Sequence, residues 1–451
     1  MQVNRSQFGE NFHWGVSTAA HQIEGAHDID GKGASIWDTF STKKKKILNG
    51  HHGNIACDFY NRYPQDILLL NQLHIPNYRF SISWSRIFPN GIGFINLPGI
   101  DFYNNIIDTC LAKGILPWVT LYHWDLPEAL HQKGGWTNRD ILNWFGEYVA
   151  FCVQQFGDRV KRWMILNEPM VFTGAGYFLG VHAPGEKGLN NFLAAAHHAA
   201  LCQAEGGRIV RSLCSEAHIG TTFSYSHLEP YRPIARDMAA VKKTDALLNR
   251  LFIEPLFGLG YPLKDLSILQ RIEKFHKDGD DTRMVFNMDF IGLQNYTREL
   301  VRYSLWMPFI KAKIIKASRR NVEHTQMDWE VHPPAIYHAL MRWNRYPNMK
   351  EIIVTENGAA FEDNCIAGEV LDLKRKNYIR DHIKWVLHAK NSGARVNGYF
   401  VWTFLDNFEW AEGYYPRFGL VHINFETLER TVKTSGKWYA SFLQGIESAG
   451  E

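Results

Sequence analysis

The sequence lacks an excess of charge of either sign. Its 49 Lys and Arg residues are balanced by 46 Asp and Glu residues, which leaves a net charge of +3 over 451 residues. This balance argues against a surface for nucleic acid or for an anionic membrane. The sequence also has no apolar run of membrane-spanning length, and its N-terminal segment has no apolar core of a secretory signal. We therefore expect a soluble cytoplasmic protein with no nucleic-acid or membrane partner.

Cysteine is scarce and scattered. The six cysteines form no CxxC pair, so the sequence has neither a disulfide framework nor a zinc ribbon. This usage is typical of proteins in a reducing compartment. No Pro/Gly/Ser-rich linker divides the chain, and no short repeat occurs in it. These absences favour a single domain over residues 1–451.

Apolar and aromatic residues are abundant. Hydrophobic residues make up 45% of the chain and charged residues 21%, so a buried core is expected. The 15 Trp, 19 Tyr and 28 Phe residues together account for 14% of the chain. Tryptophan at this density suits flat apolar faces that stack on rings, although large cores also use it.

Short β-type runs alternate with longer helical patterns from end to end. Several of the runs are almost continuously apolar, as expected for parallel strands buried on both faces. Eight runs and eight helical patterns predict an α/β fold, a single (β/α)8 TIM barrel. The competing doubly wound sheet usually shows GxGxxG after its first strand, and residues 12–25 contain no such motif. The predicted strands are 12–20, 76–83, 115–122, 161–167, 217–226, 288–297, 351–356 and 396–405, and helical patterns include 101–113, 140–156, 373–390 and 431–445.

Two glutamates follow predicted strands directly. Glu168 lies in Asn-Glu-Pro after the fourth strand, and Glu356 lies in Glu-Asn-Gly at the end of the seventh. Either tripeptide has a plain structural interpretation, because Pro stops a central strand and Asn-Gly readily forms a turn. In a barrel, however, the ends of these strands meet at the mouth that holds the active site. A pair of carboxylates there suits cleavage of a glycosidic bond, which needs an acid and a nucleophile and no metal or cofactor.

Longer motifs resemble the family 1 glycoside hydrolases, which are retaining β-glycosidases on a (β/α)8 barrel. The resemblance covers nearly the whole chain and follows the family's order of motifs. The matching segments are 12–25 (FHWGVSTAAHQIEG), 33–40 (GASIWDTF), 78–89 (YRFSISWSRIFP), 121–127 (LYHWDLP), 176–185 (GYFLGVHAPG), 404–414 (FLDNFEWAEGY) and 417–421 (RFGLV).

The resemblance implies a role for each matching site residue. Glu168 is the expected acid/base and Glu356 the expected nucleophile, so the pKa of Glu168 should be raised while Glu356 stays ionised. Arg79 would keep Glu356 charged, and Tyr296 would donate a hydrogen bond to it. The expected glycone pocket is formed by Gln22, His123, Asn167, Glu409 and Trp410, with Trp402 as its floor.

Four positions match the family less clearly. Trp329 resembles the aromatic platform for the leaving group, but it could equally be a core residue. Gln294 stands where the family often has Asn, so its contact near the nucleophile is undecided. Ile165 stands where Thr is frequent, and the family's usual Asn is not apparent near Ser224.

These residues predict a retaining β-glucosidase. The expected substrates are terminal β-D-glucosyl residues of cellobiose-like oligosaccharides or aryl glucosides, with β-galactosides and β-fucosides as further substrates. Glu409 opposes the first alternative, a 6-phospho-β-glycosidase, because a carboxylate would repel phosphate. A non-catalytic sugar-binding barrel is a second alternative. A metal-dependent hydrolase is a third, but it needs converging ligands, and the adjacent pairs His51-His52 and His197-His198 would not face together on a helix. The sequence does not fix the preferred sugar, the oligosaccharide length or the oligomeric state, and a homo-oligomer stays possible.

Overall fold

Eight parallel strands close into a barrel in the computed structural model, which describes residues 3–446. Each strand pairs with the next along the chain, and the last strand pairs with the first to close the ring. This order is that of a (β/α)8 barrel, so the predicted fold class is confirmed, and all eight predicted strands overlap an observed one. The barrel strands are His13–Ser17 (β1), Asn77–Ser81 (β2), Leu116–Tyr122 (β3), Arg162–Asn167 (β4), His218–Ser224 (β5), Phe290–Gln294 (β6), Ile352–Asn357 (β7) and Val396–Trp402 (β8).

The strands are buried on both faces, which explains their almost continuous apolar character. One set of side chains points outward to the helices, and a second set fills the inside of the barrel. Trp118 of β3 lies at the centre of this inner set, with its ring 5.0 Å from that of Phe400 and 5.6 Å from that of Phe290. Met164 and Ile353 complete the same inner cluster. The barrel is therefore a packed core, and only its mouth can hold a ligand.

Helices lie between the strands and cover the barrel. The helix predicted over 101–113 begins earlier, at Leu97, because Pro98 occupies the first turn, where its missing N–H costs nothing. The strand predicted over 12–20 ends at Ser17, where the chain turns towards the short helix Ala20–Ile23. The longer helices are Phe59–Gln72 (α1), Leu97–Ala112 (α2), Ile141–Phe156 (α3), Leu189–Leu213 (α4), Ala235–Asp245 (α5), Pro334–Trp343 (α6), Leu373–Asn391 (α7) and Thr434–Leu443 (α8). Short helices cover Ala20–Ile23, Ile36–Ser41, Trp84–Ile87, Glu128–His131, Pro169–Thr173, Ile253–Leu256 and Asp280–Arg283. Within residues 3–446, no helix is long and apolar enough to span a membrane.

Small sheets outside the barrel were not expected from the sequence. The largest has three strands and is formed by segments that follow β5 and β6. Its strands are His227–Pro230, Arg298–Tyr303 and Ala312–Ile315. Two hairpins follow β7 and β8, and they pair Cys365–Ile366 with Glu369–Val370 and Val421–Ile423 with Arg430–Val432. These additions surround the mouth of the barrel and extend the loops that carry the site.

Candidate active site

Glu168 stands at the junction of β4 and a short helix. The strand ends at Asn167, and Pro169 opens the helix, so Pro does stop the strand as its chemistry requires. Glu168 between them adopts the left-handed conformation, with φ of 44° and ψ of 64°. A non-glycine residue in that conformation costs about 1–3 kcal/mol and persists only where the surroundings enforce it. The backbone N–H of Glu168 helps to enforce it by donating to the Thr222 carbonyl at 3.0 Å.

Glu356 is the second-last residue of β7. The two residues after it do not form a turn with positive φ. Asn357 is still part of the strand, and neither Asn357 nor Gly358 has a positive φ. The interpretation of Asn-Gly as a turn is therefore wrong. Glycine is required at 358 for another reason, because a Cβ there would lie 1.7 Å from the carbonyl oxygen of Trp402. The close approach brings the ends of β7 and β8 together at the mouth.

Glu356 accepts hydrogen bonds from two buried side chains and from the partly buried Tyr296. Arg79 Nη1 lies 2.5 Å from Oε1 of Glu356, and the Tyr296 hydroxyl donates to Oε2 at 2.6 Å. Gln294 Nε2 donates to Oε1 at 2.6 Å, which answers the question that its sequence position left open. All three contacts favour the ionised form of the carboxyl group.

Asn167 connects this carboxylate to the rest of the mouth. Its Oδ1 accepts from Arg79 Nη2 at 2.6 Å, from Gln294 Nε2 at 2.7 Å and from the Thr222 hydroxyl at 2.9 Å. Because the oxygen takes these donors, the amide Nδ2 must face His123, whose Nε2 lies 3.0 Å away. Nε2 of His123 is then the acceptor of that bond. Arg79 and Gln294 thus each contact both Asn167 and Glu356, which fixes the two strand ends relative to each other.

The two glutamates have different electrostatic surroundings. Burial, reinforced by the charge of Glu356, raises the pKa of Glu168 well above its usual value, although Arg79 opposes the rise. Burial also raises the pKa of Glu356, but Arg79, Tyr296 and Gln294 all oppose it. In the described part of the chain, no side chain donates a hydrogen bond to Glu168. These surroundings favour the proton on Glu168 and the negative charge on Glu356.

Gln22 and Glu409 form the polar side of the predicted glycone pocket. Gln22 Nε2 lies 3.1 Å from Glu409 Oε2 and 3.0 Å from Asn407 Oδ1, while its own Oε1 is buried without a protein partner. Burial raises the pKa of Glu409 to about 8, against the hydrogen bond from Gln22, and Glu356 adds to the rise. The pocket thus offers donors and acceptors that protein groups have not fully satisfied, as a polyhydroxylated ligand requires.

Aromatic rings form the remaining wall. The His123 ring is nearly parallel to Trp402, with centroids 5.9 Å apart, and to Trp410 at 6.0 Å. Trp329 is half-buried and packs on Tyr296 with centroids 5.0 Å apart. Trp329 is therefore neither a fully buried core residue nor a free surface ring, and it borders the tyrosine that binds Glu356. The structure brings all the predicted site residues to one mouth, namely Gln22, Arg79, His123, Asn167, Glu168, Tyr296, Trp329, Glu356, Trp402, Glu409 and Trp410.

Several residues of this region were missed by the sequence analysis. Trp124 donates its indole N–H to the Asn167 carbonyl at 2.9 Å and packs on Trp410 at 4.7 Å. Trp37 and His21 lie on other sides of Trp410, at 4.6 Å and 5.9 Å. The signal for Trp124 was its place beside His123, whereas nothing in the sequence distinguishes Trp37 from a core tryptophan.

The adjacent histidine pairs have protein partners. His51 Nδ1 accepts the backbone N–H of Tyr414 at 3.1 Å. His197 Nε2 lies 2.9 Å from Asp280 Oδ2, and its Nδ1 lies 2.9 Å from the Tyr261 hydroxyl. Among residues 3–446, the hydrogen-bond partners of Glu168 and Glu356 include neither His51 nor His197.

A (β/α)8 barrel whose mouth holds two buried glutamates beside amides, an imidazole and tryptophans defines a glycoside hydrolase. The chain belongs to glycosyl hydrolase family 1, whose family model matches residues 4–447. It is 42% identical over 449 residues to beta-glucosidase A of Thermotoga maritima, covering 99% of this chain and all of the relative. It is 40% identical over 448 residues to beta-glucosidase A of Acetivibrio thermocellus, covering 98% and 99% of the two chains.

Solved structures agree with this assignment. The family 1 β-glucosidase from Thermotoga maritima superimposes with a TM-score of 0.95 at 41% identity, over 98% of this chain and 99% of that chain. The same relative in complex with deoxynojirimycin gives a TM-score of 0.94 with the same identity and coverage. The chain is therefore a glycoside hydrolase, and the predictions of its family and of its enzyme class are confirmed.

Proposed function

We propose that this chain is a retaining β-glucosidase. It hydrolyses terminal non-reducing β-D-glucosyl residues of cellobiose-like oligosaccharides or aryl glucosides, and it also accepts β-galactosides and β-fucosides. The observation that carries the proposal is the asymmetry of the carboxyl pair. Within residues 3–446, Glu356 accepts three hydrogen bonds from side chains and Glu168 accepts none. The names of the curated relatives, which are β-glucosidases, support the choice of sugar.

The asymmetry supports a double displacement in two steps. In the first step Glu356 attacks the anomeric carbon, the glycosidic C–O bond breaks, and Glu168 gives its proton to the leaving oxygen. This leaves a glycosyl ester on Glu356 and a carboxylate on Glu168. In the second step Glu168 takes a proton from water, the water oxygen bonds to the anomeric carbon, and the ester bond to Glu356 breaks. Two inversions return the β configuration.

The residues around the pair assist these steps. Asn167 has one amide hydrogen directed at His123 and a second available to the 2-hydroxyl, a contact that strengthens as charge develops on the sugar. Gln22 and Glu409 provide hydrogen bonds for the remaining hydroxyls. Trp402 presents an apolar face to the C–H side of the pyranose.

Glu409 favours a free sugar over a 6-phosphate. It lies against Gln22, and no Lys or Arg of residues 3–446 forms an ion pair with it. A phosphate dianion beside this carboxyl group would keep it protonated or be repelled by it. Neutral 4- and 6-hydroxyls can instead accept from or donate to Glu409 in either protonation state.

Initial rates on p-nitrophenyl β-D-glucoside, its 6-phosphate, the galactoside and the fucoside test the proposal. We expect turnover of the free glycosides and at most traces with the phosphate. Nuclear magnetic resonance of the first product should show β-glucose before mutarotation, and α-glucose would contradict retention. With Glu356→Ala and added azide we expect the α-glycosyl azide, and a β-azide would contradict Glu356 as the nucleophile. Preference for the phosphate would contradict the role of Glu409.

The extent and location of the protein are further proposals. We infer one catalytic domain over residues 1–451, of which residues 1–2 and 447–451 lie outside the described part. We also infer a cytoplasmic location, because all six cysteines are free and five of them are buried. Limited proteolysis should leave one resistant fragment, and fractionation of the source cells should find the activity in the cytoplasm.

A further inference from the structure

A group of buried charges lies behind the glycone pocket. Lys433, just before α8, is fully buried, and its ammonium group contacts Asp406 at 2.7 Å and also Asp363. Arg375 of α7 is fully buried and contacts Asp363 and Asp372. We call these residues, together with Arg417, the Lys433 cluster; its members are Asp363, Asp372, Arg375, Asp406, Arg417 and Lys433. Three cations balance three carboxylates in it.

The cluster connects two loops of the active site. Asp406 lies in the loop after β8, three residues before Glu409, and its carboxylate also accepts from Arg417 at 3.1 Å and from the Gly419 N–H at 2.8 Å. Asp363 lies in the loop after β7, seven residues after Glu356. The Lys433 ammonium group contacts one carboxylate from each loop, so it ties the loop of Glu409 to the loop that follows Glu356.

Neighbouring hydrogen bonds transmit this connection to the pocket. Beyond Asp406, the next residues bind Gln22: Asn407 Oδ1 accepts from its Nε2 at 3.0 Å, and the Phe408 N–H donates to its carbonyl at 3.1 Å. On the other loop, Arg375 donates to the Ala359 carbonyl at 3.0 Å. The first path reaches Gln22 and Glu409 of the glycone pocket, and the second reaches the backbone three residues after Glu356.

Such a buried group of charges requires an explanation. Buried ion pairs add little net stability compared with apolar residues of the same size, so stability alone is a weak reason for six charges there. Fixed geometry is the better explanation, since charges in a dry site hold their partners in one arrangement. Burial would raise the pKa of Asp406, but Lys433, Arg417 and Arg375 outweigh it and lower that pKa, so Asp406 stays ionised and held.

We propose that Lys433 is a positioning residue for the glycone pocket. Its ammonium group sets the distance between the loop that carries Glu409 and the loop that follows Glu356, and thereby the fit of the sugar's 6-hydroxymethyl group. The inference rests on the proposed β-glucosidase function, in which Glu409 binds the 4- and 6-hydroxyls.

The test compares two substrates that differ only at that group. The measured quantity is the ratio of kcat/KM for p-nitrophenyl β-D-glucoside to that for the β-D-xyloside, which has no 6-hydroxymethyl group. The variant is Lys433→Met combined with Asp363→Asn, which removes the contact without leaving an unbalanced buried charge. We expect the ratio to fall at least tenfold towards that of Glu409→Ala, while the rate on the xyloside changes less than threefold. A merely structural role would lower both rates by the same factor, and that result would overturn the proposal.

Matched controls keep the outcomes separate. The control is Arg139→Met combined with Asp280→Asn. It neutralises another ion pair, in which Asp280 is buried and Arg139 is partly buried, with Arg139 Nη1 2.9 Å from Asp280 Oδ2. This pair touches neither loop, so the variant should leave the ratio unchanged. If the first variant does not fold, Lys433→Arg keeps the charge but changes its shape, and we expect it to lower the ratio at least threefold. An unchanged ratio in Lys433→Arg would then overturn the proposal. A wild type that hydrolyses neither glycoside would instead contradict the proposed function.

Discussion

Nε2 of Gln294 lies 2.6 Å from Oε1 of Glu356, and the same nitrogen lies 2.7 Å from Oδ1 of Asn167. A side-chain amide has two hydrogens, so Gln294 can give one to each strand end. Its Oε1 is buried without a protein partner among the described residues, so no hydrogen bond to that oxygen favours the opposite orientation of the amide. The extra methylene of Gln, at a position where the family often has Asn, does not remove the contact with the carboxylate.

We therefore expect Gln294→Ala to lower kcat by about tenfold to hundredfold, because a hydrogen bond to a charged group contributes about 1.5–3 kcal/mol. Gln294→Asn should retain more activity, since it keeps an amide donor at the site. Steady-state kinetics on an aryl glucoside measures the effect. As a control, Gln203→Ala removes another buried glutamine, on α4, and should affect the thermal midpoint but not kcat. Equal losses in both Ala variants would mean that Gln294 acts only through stability.

Glu168→Gln should affect substrates according to their leaving groups. Protonation of the leaving oxygen contributes about 10²- to 10⁴-fold, and a good leaving group does not need it. We expect a loss of that size in kcat/KM for cellobiose and a loss below tenfold for a dinitrophenyl glucoside. Added azide should yield the β-glycosyl azide from this variant. Losses that do not depend on the leaving group would contradict Glu168 as the acid.

Tyr296→Phe should shift the acidic limb of the pH profile upward. The Tyr296 hydroxyl lowers the pKa of Glu356, so its removal raises that pKa, and more Glu356 is protonated at a given acidic pH. Since catalysis requires ionised Glu356, kcat/KM should fall at a higher pH than in the wild type. Tyr148→Phe removes a buried hydroxyl that donates to the Leu121 carbonyl, and it should leave the profile unchanged. If the acidic limb of Tyr296→Phe coincides with that of the wild type, the Tyr296 hydroxyl does not lower the pKa of Glu356.

Glu409 should make folding stability depend on pH. Its pKa in the folded protein, about 8, lies above the ordinary value of 4.5. The folded state therefore binds more protons between these values, and the free energy of unfolding falls as the pH rises from about 5 to 8. Glu409→Gln removes this pH-dependent loss of stability. The difference between the thermal midpoints of the variant and the wild type should therefore increase as the pH rises from about 5 to 8. The exposed Glu426→Gln is the control and should show no such trend. A flat difference for Glu409→Gln would contradict the raised pKa.

Gly358→Ala should disrupt the ends of β7 and β8. The added Cβ would lie 1.7 Å from the Trp402 carbonyl oxygen, which is a backbone atom and cannot move aside cheaply. We expect a loss of stability of several kcal/mol or no folded protein. Gly146→Ala, within α3, is the control, because its Cβ would meet only a side-chain methyl of Ile209 at 3.3 Å and Ala favours helix. Thermal unfolding of both variants measures the difference in stability.

The sequence predicted the barrel because its strands carry a local signal. A strand such as β4 is apolar throughout, and β-branched and aromatic residues mark the others. The three-stranded sheet has no comparable signal, because it pairs His227 with Arg298 across a long stretch of chain. Such pairings depend on loop conformations that periodicity does not record.

The site was predictable where chemistry and position coincide, as for Glu168 and Glu356 at strand ends. It was not predictable where a contact depends on side-chain length, as for Gln294, or on which apolar residue faces the mouth, as for Trp37. Trp329 is a residue whose surroundings the sequence does not predict. The sequence left two interpretations open for it, and the half-buried ring against Tyr296 partly satisfies both.

The hydrogen bond between Gln22 and Glu409 joins residues 387 positions apart. A ribosome that has made nine-tenths of this chain has produced both glutamates of the carboxyl pair but not one complete sugar pocket. The nascent chain therefore cannot bind its substrate until the loop after β8 has left the ribosome and β8 has paired with β1. Activity should therefore appear only after residues as late as Glu409 have been made and folded.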